Sequence, residues 1–202
     1  VALQKVKKQA SRGWPDTAAL FEPIIASGMT LGSASNTGAA LLILLDSLQP
    51  VGVTTLVLDQ NQLLPALGAI AGFDSVLPIQ VLESGALLNL GTVVSPLSDE
   101  RYGTPILEVK LEYEQGGSDQ FEIRSGTIAA LPLGQGQTAR LNLNFLHRTR
   151  LDPSSKRHET SFKVTGGVCG VVIDARGRPL SLPSDDSRRR DLLKKWLLAV
   201  GG

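Results

Sequence analysis

Between Thr104 and Arg124 the chain alternates with a period of two. Leu107, Val109, Leu111 and Tyr113 fall on one side, and Glu108, Lys110, Glu112 and Glu114 on the other. Only an extended strand sends successive side chains to opposite faces, so this run is a strand with one dry and one wet face. Gly116-Gly117 then turn the chain into a second run, in which Phe121 and Ile123 alternate with Glu122 and Arg124. A two-residue glycine turn between alternating runs predicts a β-hairpin. The pattern recurs in QTARLNLNFLH, where Ala139, Leu141, Leu143 and Phe145 share a side, and TSFKVTGG, CGVVIDARG and RPLSLP extend the set. Ala175-Arg176-Gly177-Arg178 reads as a turn, with Pro179 suited to open an edge strand. The polar link RTRLDPSSKRHE reads as a long loop. So many short strands at this spacing predict an antiparallel sandwich or barrel over residues 84–183.

Before residue 83 the character differs. Leu3 and Val6, three apart among lysines, suit the last turns of a helix over Val1–Ala10, ended by Ser11-Arg12-Gly13. Glu22 to Ser27 reads as a short buried strand. Asn36 or Thr37 can cap the next helix, about Gly38 to Leu48, by accepting from free backbone amides. That helix is apolar almost all round, as expected of one packed on both sides. Gln49-Pro50-Val51-Gly52 breaks it. Val53 to Asp59, β-branched and continuous, suits a parallel strand covered on both faces. Gln62 to Ala71 follows as a helix, with Pro65 tolerated in its first turn. The order β–α–β–α implies a right-handed crossover and a parallel sheet. Two strands are too few for a stable sheet, so PIQVLES is expected to add a third, or residues upstream of Val1 to supply the rest. The tail, Asp186 to Val200, sets Leu192, Leu193, Trp196 and Leu197 at helical spacing and should dock one face. The expected class is therefore α+β: a partial α/β segment (1–83), a β-rich sandwich or barrel (84–183) and a C-terminal helix (184–202).

Charge and composition remove several functions. Twenty Lys and Arg against nineteen Asp and Glu leave a net charge of +1, so there is no electrostatic case for nucleic acid. Aromatic residues at 4% also speak against a base-stacking platform. The cluster Arg188-Arg189-Arg190 with Lys194-Lys195 lies beside Asp185, Asp186 and Asp191, which reads as a solvated helix face. Cys169 is the sole cysteine, so no internal disulfide forms, and its apolar setting reads as a small buried hydrophobe. No apolar run approaches the ~18 residues of a membrane span, and no basic-then-apolar leader is present. A cytoplasmic protein is the expectation. The chain starts at Val1 and its one methionine is Met29, which reads as a piece cut from something longer, so that half of an active site would lie outside it.

Catalytic constellations are sparse. His147 and His158 have no Cys, Asp or Glu at ligand spacing. Asp74 and Glu83 stand unpaired as acid and base. Ser84-Gly85 and Ser125-Gly126 lack the strand–turn–helix setting of a hydrolase nucleophile. PLGQGQ opens no helix and reads as a turn. The remaining candidate is PIIASGMTLG. Its strand stops at Ser27-Gly28 and hands over, past Met29 and Gly32, to the capped helix. Glycine lets backbone approach a ligand, and a helix N-terminus favours an anion; the same junction is also the ordinary way to turn a corner. No metal site is expected.

Four stretches taken together, PIIASGMTLG, ALLILLDSLQPVGVTTLVLDQNQLLPALGAIA, VLESGALLNLGTVVSP and VTGGVCGVVIDARGRPL, carry a resemblance. Over about Glu22 to Gly202 the chain resembles the C-terminal part of the glutamate mutase accessory-protein family, whose members are similar to actin-like ATPases. LQPVGVTTLVLD and GVVIDARGRP are the most distinctive segments. The resemblance implies a role in maintaining or reactivating an adenosylcobalamin-dependent mutase. It also implies that Ser27 and Gly28 match the glycine pair of an adenosine-binding turn, Ser27 standing in place of the first glycine. The family's phosphate-binding segments belong to its N-terminal part, so ATP is implied for the full-length parent and no cofactor for this piece. The β-rich region, absent from a minimal actin-like fold, is then expected to be a docking or scaffold module for the mutase or another copy of the parent. Two rivals stand beside this reading: a nucleotide-binding enzyme fragment using Ser27, Gly28, Met29 and Gly32, and a β module holding a small ligand or carbohydrate between its sheets.

Overall fold

The computed structural model describes residues 22–151 and 159–201. The expected helix over Val1–Ala10, most of the polar link and His158 lie outside the described residues. The class is α+β, with five helices and two sheets among the described residues.

The period-two runs form the four-stranded sheet. Strands β4 (Pro105–Tyr113), β5 (Ser118–Arg124), β7 (Thr138–Phe145) and β8 (Glu159–Thr165) are all antiparallel, in the order β5-β4-β7-β8. Gly116 and Gly117 both take positive φ, as the tight β4–β5 turn requires. Leu107, Val109, Leu111, Leu141 and Leu143 are at most 2% exposed. At about 1.5–3 kcal/mol for each such side chain, their burial is the main force holding this layer down.

The second sheet is mixed and has five strands: β1 (Ile24–Ser27), β2 (Gly52–Asp59), β3 (Leu88–Ser95), β9 (Val171–Asp174) and β6 (Ile128–Leu131), adjacent in that order. β1 and β2 run parallel, with Ser27 beside Asp59. β3 is antiparallel to β2, and β9 parallel to β3. Two strand expectations, one for this sheet and one for the β-rich set, are corrected. PIQVLES is no strand: it lies in helix α4 (Val76–Glu83). RPLSLP likewise joins neither sheet among the described residues. The strands that complete the β1–β2 pair come from the far side of residue 83, so one sheet draws on both halves of the chain.

Alternation along the five-stranded sheet sends apolar groups into two cores. Val94, Leu131, Val171 and Ile173 face the four-stranded sheet, and Thr92 Oγ1 donates to the Thr165 carbonyl (3.0 Å) across the gap. Leu56, Leu58, Leu90, Val93 and Val172 face the other way, onto helices α2 (Thr37–Leu48) and α5 (Asp186–Ala199). The order of layers is helices, mixed sheet, antiparallel sheet, and the two sheets do not close into a barrel. Asn36 caps α2 through Oδ1, which accepts from Ala39 N–H (2.8 Å). α1 (Met29–Gly32) is a single turn, and α3 (Leu63–Ile70) and α4 form a hairpin between β2 and β3. No helix among the described residues is long and apolar enough to cross a membrane.

Candidate functional site

The parallel pair β1–β2 ends in two loops that face each other, where ligands bind in open α/β sheets. Ser27, Gly28, Met29 and Gly32 are all on the first. Gly28 has φ 130°, beyond the easy reach of other residues, and Met29 is 73% exposed. A Cβ on Gly32 would sit 3.2 Å from the Gln60 carbonyl, so the two loops are in tight contact. The first loop is a turn of helix, not an open cradle: Leu31 and Gly32 amides donate back to the Gly28 carbonyl.

The group that organises these ends is Asp59, which the sequence reading passed over as the last residue of a strand. It is fully buried. Its Oδ1 accepts from Leu63 N–H (2.8 Å), and its Oδ2 from Leu64 N–H (3.0 Å) and the Ser27 hydroxyl (2.8 Å). Burial alone would push the carboxyl upward, but the Leu64 and Leu63 amides, the Ser27 hydroxyl and the Gln62 amide outweigh it and hold it below the usual range. The positive end of α3 is thus neutralised by the chain's own carboxylate, as that of α2 is capped by Asn36. The Leu63 and Leu64 amides of α3 and the Ala39 amide of α2, which would otherwise attract a phosphate, are already engaged.

A second polar centre lies where β9 leaves the mixed sheet. Asp174 is fully buried, and its carboxylate takes a two-pronged contact from Arg176 (Nε 2.9 Å, Nη2 3.0 Å) and a third from Arg178 Nη2 (2.6 Å). Arg176 reaches on to Asp46 Oδ1 at the end of α2 (2.7 Å), and its guanidinium lies 4.8 Å from the centre of the Trp196 ring. Arg178 donates to the Pro50 carbonyl (3.1 Å). Burial would raise the Asp174 carboxyl, yet the two guanidinium groups hold it below the usual range. The stretch read as a plain turn therefore ties β9, α2 and α5 together. Its one visible signal was the Asp-x-Arg-x-Arg spacing.

The third feature is an open concavity of about 740 Å3 on the outer face of the four-stranded sheet. Register builds a row across it: Glu122 beside Glu108, Glu108 beside Asn144, Asn144 beside Glu159. Lys110, Gln120, Asn142 and Ser161 form the next row. Asn144 Nδ2 donates to Glu108 (2.8 Å) and Arg124 pairs with Glu122 (2.5 Å). Directly opposed carboxylates destabilise a sheet unless a cation lies near; Arg124 meets that need at Glu122, and the Glu108 and Glu159 end of the row remains suited to a further basic group. The space between the sheets, where a ligand was one expectation, is filled by buried side chains.

The other candidates have plain surroundings. His147 is exposed. The PLGQGQ turn spends its amides internally: Gly134 N–H on Gln137 Oε1 and Gly136 N–H on the Gly166 carbonyl. Burial pushes the Cys169 thiol up, away from the reactive thiolate. Arg188, Arg190, Lys194 and Lys195 stand exposed along α5, which Asp185 caps through Arg188 N–H (2.8 Å). Among the described residues, no group of three or more His, Cys, Asp or Glu side chains is placed to hold a metal ion. No protein-family model, no curated protein and no solved structure matches this chain.

Proposed function

We propose that the chain is the non-catalytic C-terminal part of an actin-like ATPase that maintains or reactivates an adenosylcobalamin-dependent mutase in the cytoplasm, with the four-stranded sheet as its docking face. The observation that carries this reading is the unfinished state of the β1–β2 pair. Parallel strands are normally covered on both faces. Here the register partners Ile25 and Val57 belong to neither core, Ile25 is 44% exposed, and β1 forms the sheet edge among the described residues. The remainder of an actin-like domain would cover that face and extend that edge. The self-capped ends at Asp59 and Asn36 favour a piece that does not hold ATP alone, and the row Glu122–Glu108–Asn144–Glu159 favours a partner presenting basic groups.

Calorimetric titration of the chain with ATP and ADP tests the first part. No binding tighter than about 1 mM is expected; micromolar binding would instead favour the rival in which Ser27, Gly28, Met29 and Gly32 hold adenosine. Titration with purified glutamate mutase tests the second. Binding should weaken about tenfold or more in the Glu108→Lys, Glu122→Lys double variant, and an unchanged affinity would remove the sheet from the interface.

A further inference from the structure

Five large apolar side chains stand exposed within ten consecutive residues of the α3–α4 hairpin: Phe73 (96%), Val76 (56%), Ile79 (54%), Leu82 (43%) and Leu77 (40%). α4 buries none of its residues and α3 only Leu67. Eight-residue helices carrying Pro65 and Pro78 do not sustain themselves in water, and contiguous apolar surface of this kind marks a contact.

Charge says what kind of contact. From Glu22 to Glu100 the sequence has seven acidic residues and no Lys or Arg. Two of the acids, Asp74 and Glu83, stand at the two ends of α4 and flank its apolar side chains. The complement is present in the same chain. Residues 1–12 hold Lys5, Lys7, Lys8 and Arg12 with no acid, and set Leu3, Val6 and Ala10 on one helical stripe. The nine residues from Gly13 to Phe21 can span up to about 30 Å, and Glu22 lies five residues, about 17 Å of extended chain, from the Ser27–Asp59 end where the hairpin begins, so the tether permits the contact.

We propose that the segment Val1–Arg12 of this chain docks on the α3–α4 hairpin, its apolar stripe on Val76, Ile79 and Leu82 and its lysines toward Asp74 and Glu83. This inference stands apart from the mutase assignment and survives its failure. The test uses the full 202-residue chain with Leu3→Cys and Ile79→Cys, the one native thiol, Cys169, being buried. A short bis-maleimide should link the two positions within one monomer, and adding Lys7→Glu with Lys8→Glu should cut the yield about fivefold. A link that appears only between two chains would overturn the proposal in favour of a second copy. A yield no higher than that of Leu3→Cys with Tyr102→Cys would overturn it in favour of a face left open for another protein. A thiol-free readout is hydrogen exchange at the Ile79–Glu83 amides. Exchange should quicken about fivefold in the Lys7→Glu, Lys8→Glu chain and in about 0.5 M salt; equal rates would sink the idea.

Discussion

Asp59 has no exposure to solvent and yet remains a carboxylate, because three backbone amides and the Ser27 hydroxyl converge on it. A folded-state pKa below the unfolded one means that the group stabilises the fold above the ordinary carboxylate value of ~4. That contribution is lost as pH falls through the lower folded value. Replacing Asp59 by Asn should therefore cost about 1–2 kcal/mol at pH 7 and flatten the acid limb of stability, read by urea unfolding from pH 7 down to about 3. An acid limb as steep as that of the native chain would place the acid-sensitive group elsewhere. Arg176 makes the larger demand. Its guanidinium has no side-chain exposure and, among the described residues, is satisfied by Asp174, Asp46 and the Trp196 ring. Arg176→Met takes two of the three guanidinium contacts from the buried Asp174 carboxylate and should cost about 3 kcal/mol, whereas Arg189→Met on the outer side of α5 should shift stability by less than about 0.5 kcal/mol. The spacing of Asp174, Arg176 and Arg178 was legible in the sequence. That the arginines would meet Asp46 and Pro50, about 130 residues away, was not, because no local pattern encodes which loops a fold brings together.

At the level of elements, the signals that proved legible were those with a physical period. β4, β5 and β7 alternate cleanly because one face is dry and the other wet. The misread segments were short and apolar. Pro78 to Ser84 holds Ile79, Val81 and Leu82, which satisfies strand and helix templates alike; the choice fell to the amides of Val76 and Leu77, which Asp74 captures in a helical start. RPLSLP alternates as a strand should, but the Arg178 guanidinium donates to the Pro50 carbonyl and the Leu180 N–H donates to Gln49 Oε1 instead of to a neighbouring strand. The glycines of TGGVCG have a different origin. A Cβ on Gly167 would lie 2.3 Å from Gly91 N, because β3 and the β8–β9 turn pack backbone to backbone. Gly167→Ala should cost about 2 kcal/mol or more, while Gly68→Ala, with open space around it in α3, should stabilise by about 0.5–1 kcal/mol. Thermal melts of the two variants compare them directly; equal shifts would mean the close approach does not constrain the fold.

Over the whole molecule, the two cores share one sheet, since β3, β6 and β9 contribute to both. Loosening either should loosen the other. Leu45→Ala on the helix side and Leu141→Ala between the sheets should each cost about 2–5 kcal/mol and move one common calorimetric transition; two separable transitions would mean that the halves on either side of residue 83 fold independently. Alternation, capping residues and breakers settled the class and most of the elements, because each depends on neighbours within a few positions of the chain. The strand order β1-β2-β3-β9-β6, the burial of Asp59 and the ion pairs of Arg176 depend on which distant surfaces meet. That outcome is set by the joint burial of two cores on a single sheet, a balance made over the entire chain and written in no one segment of it.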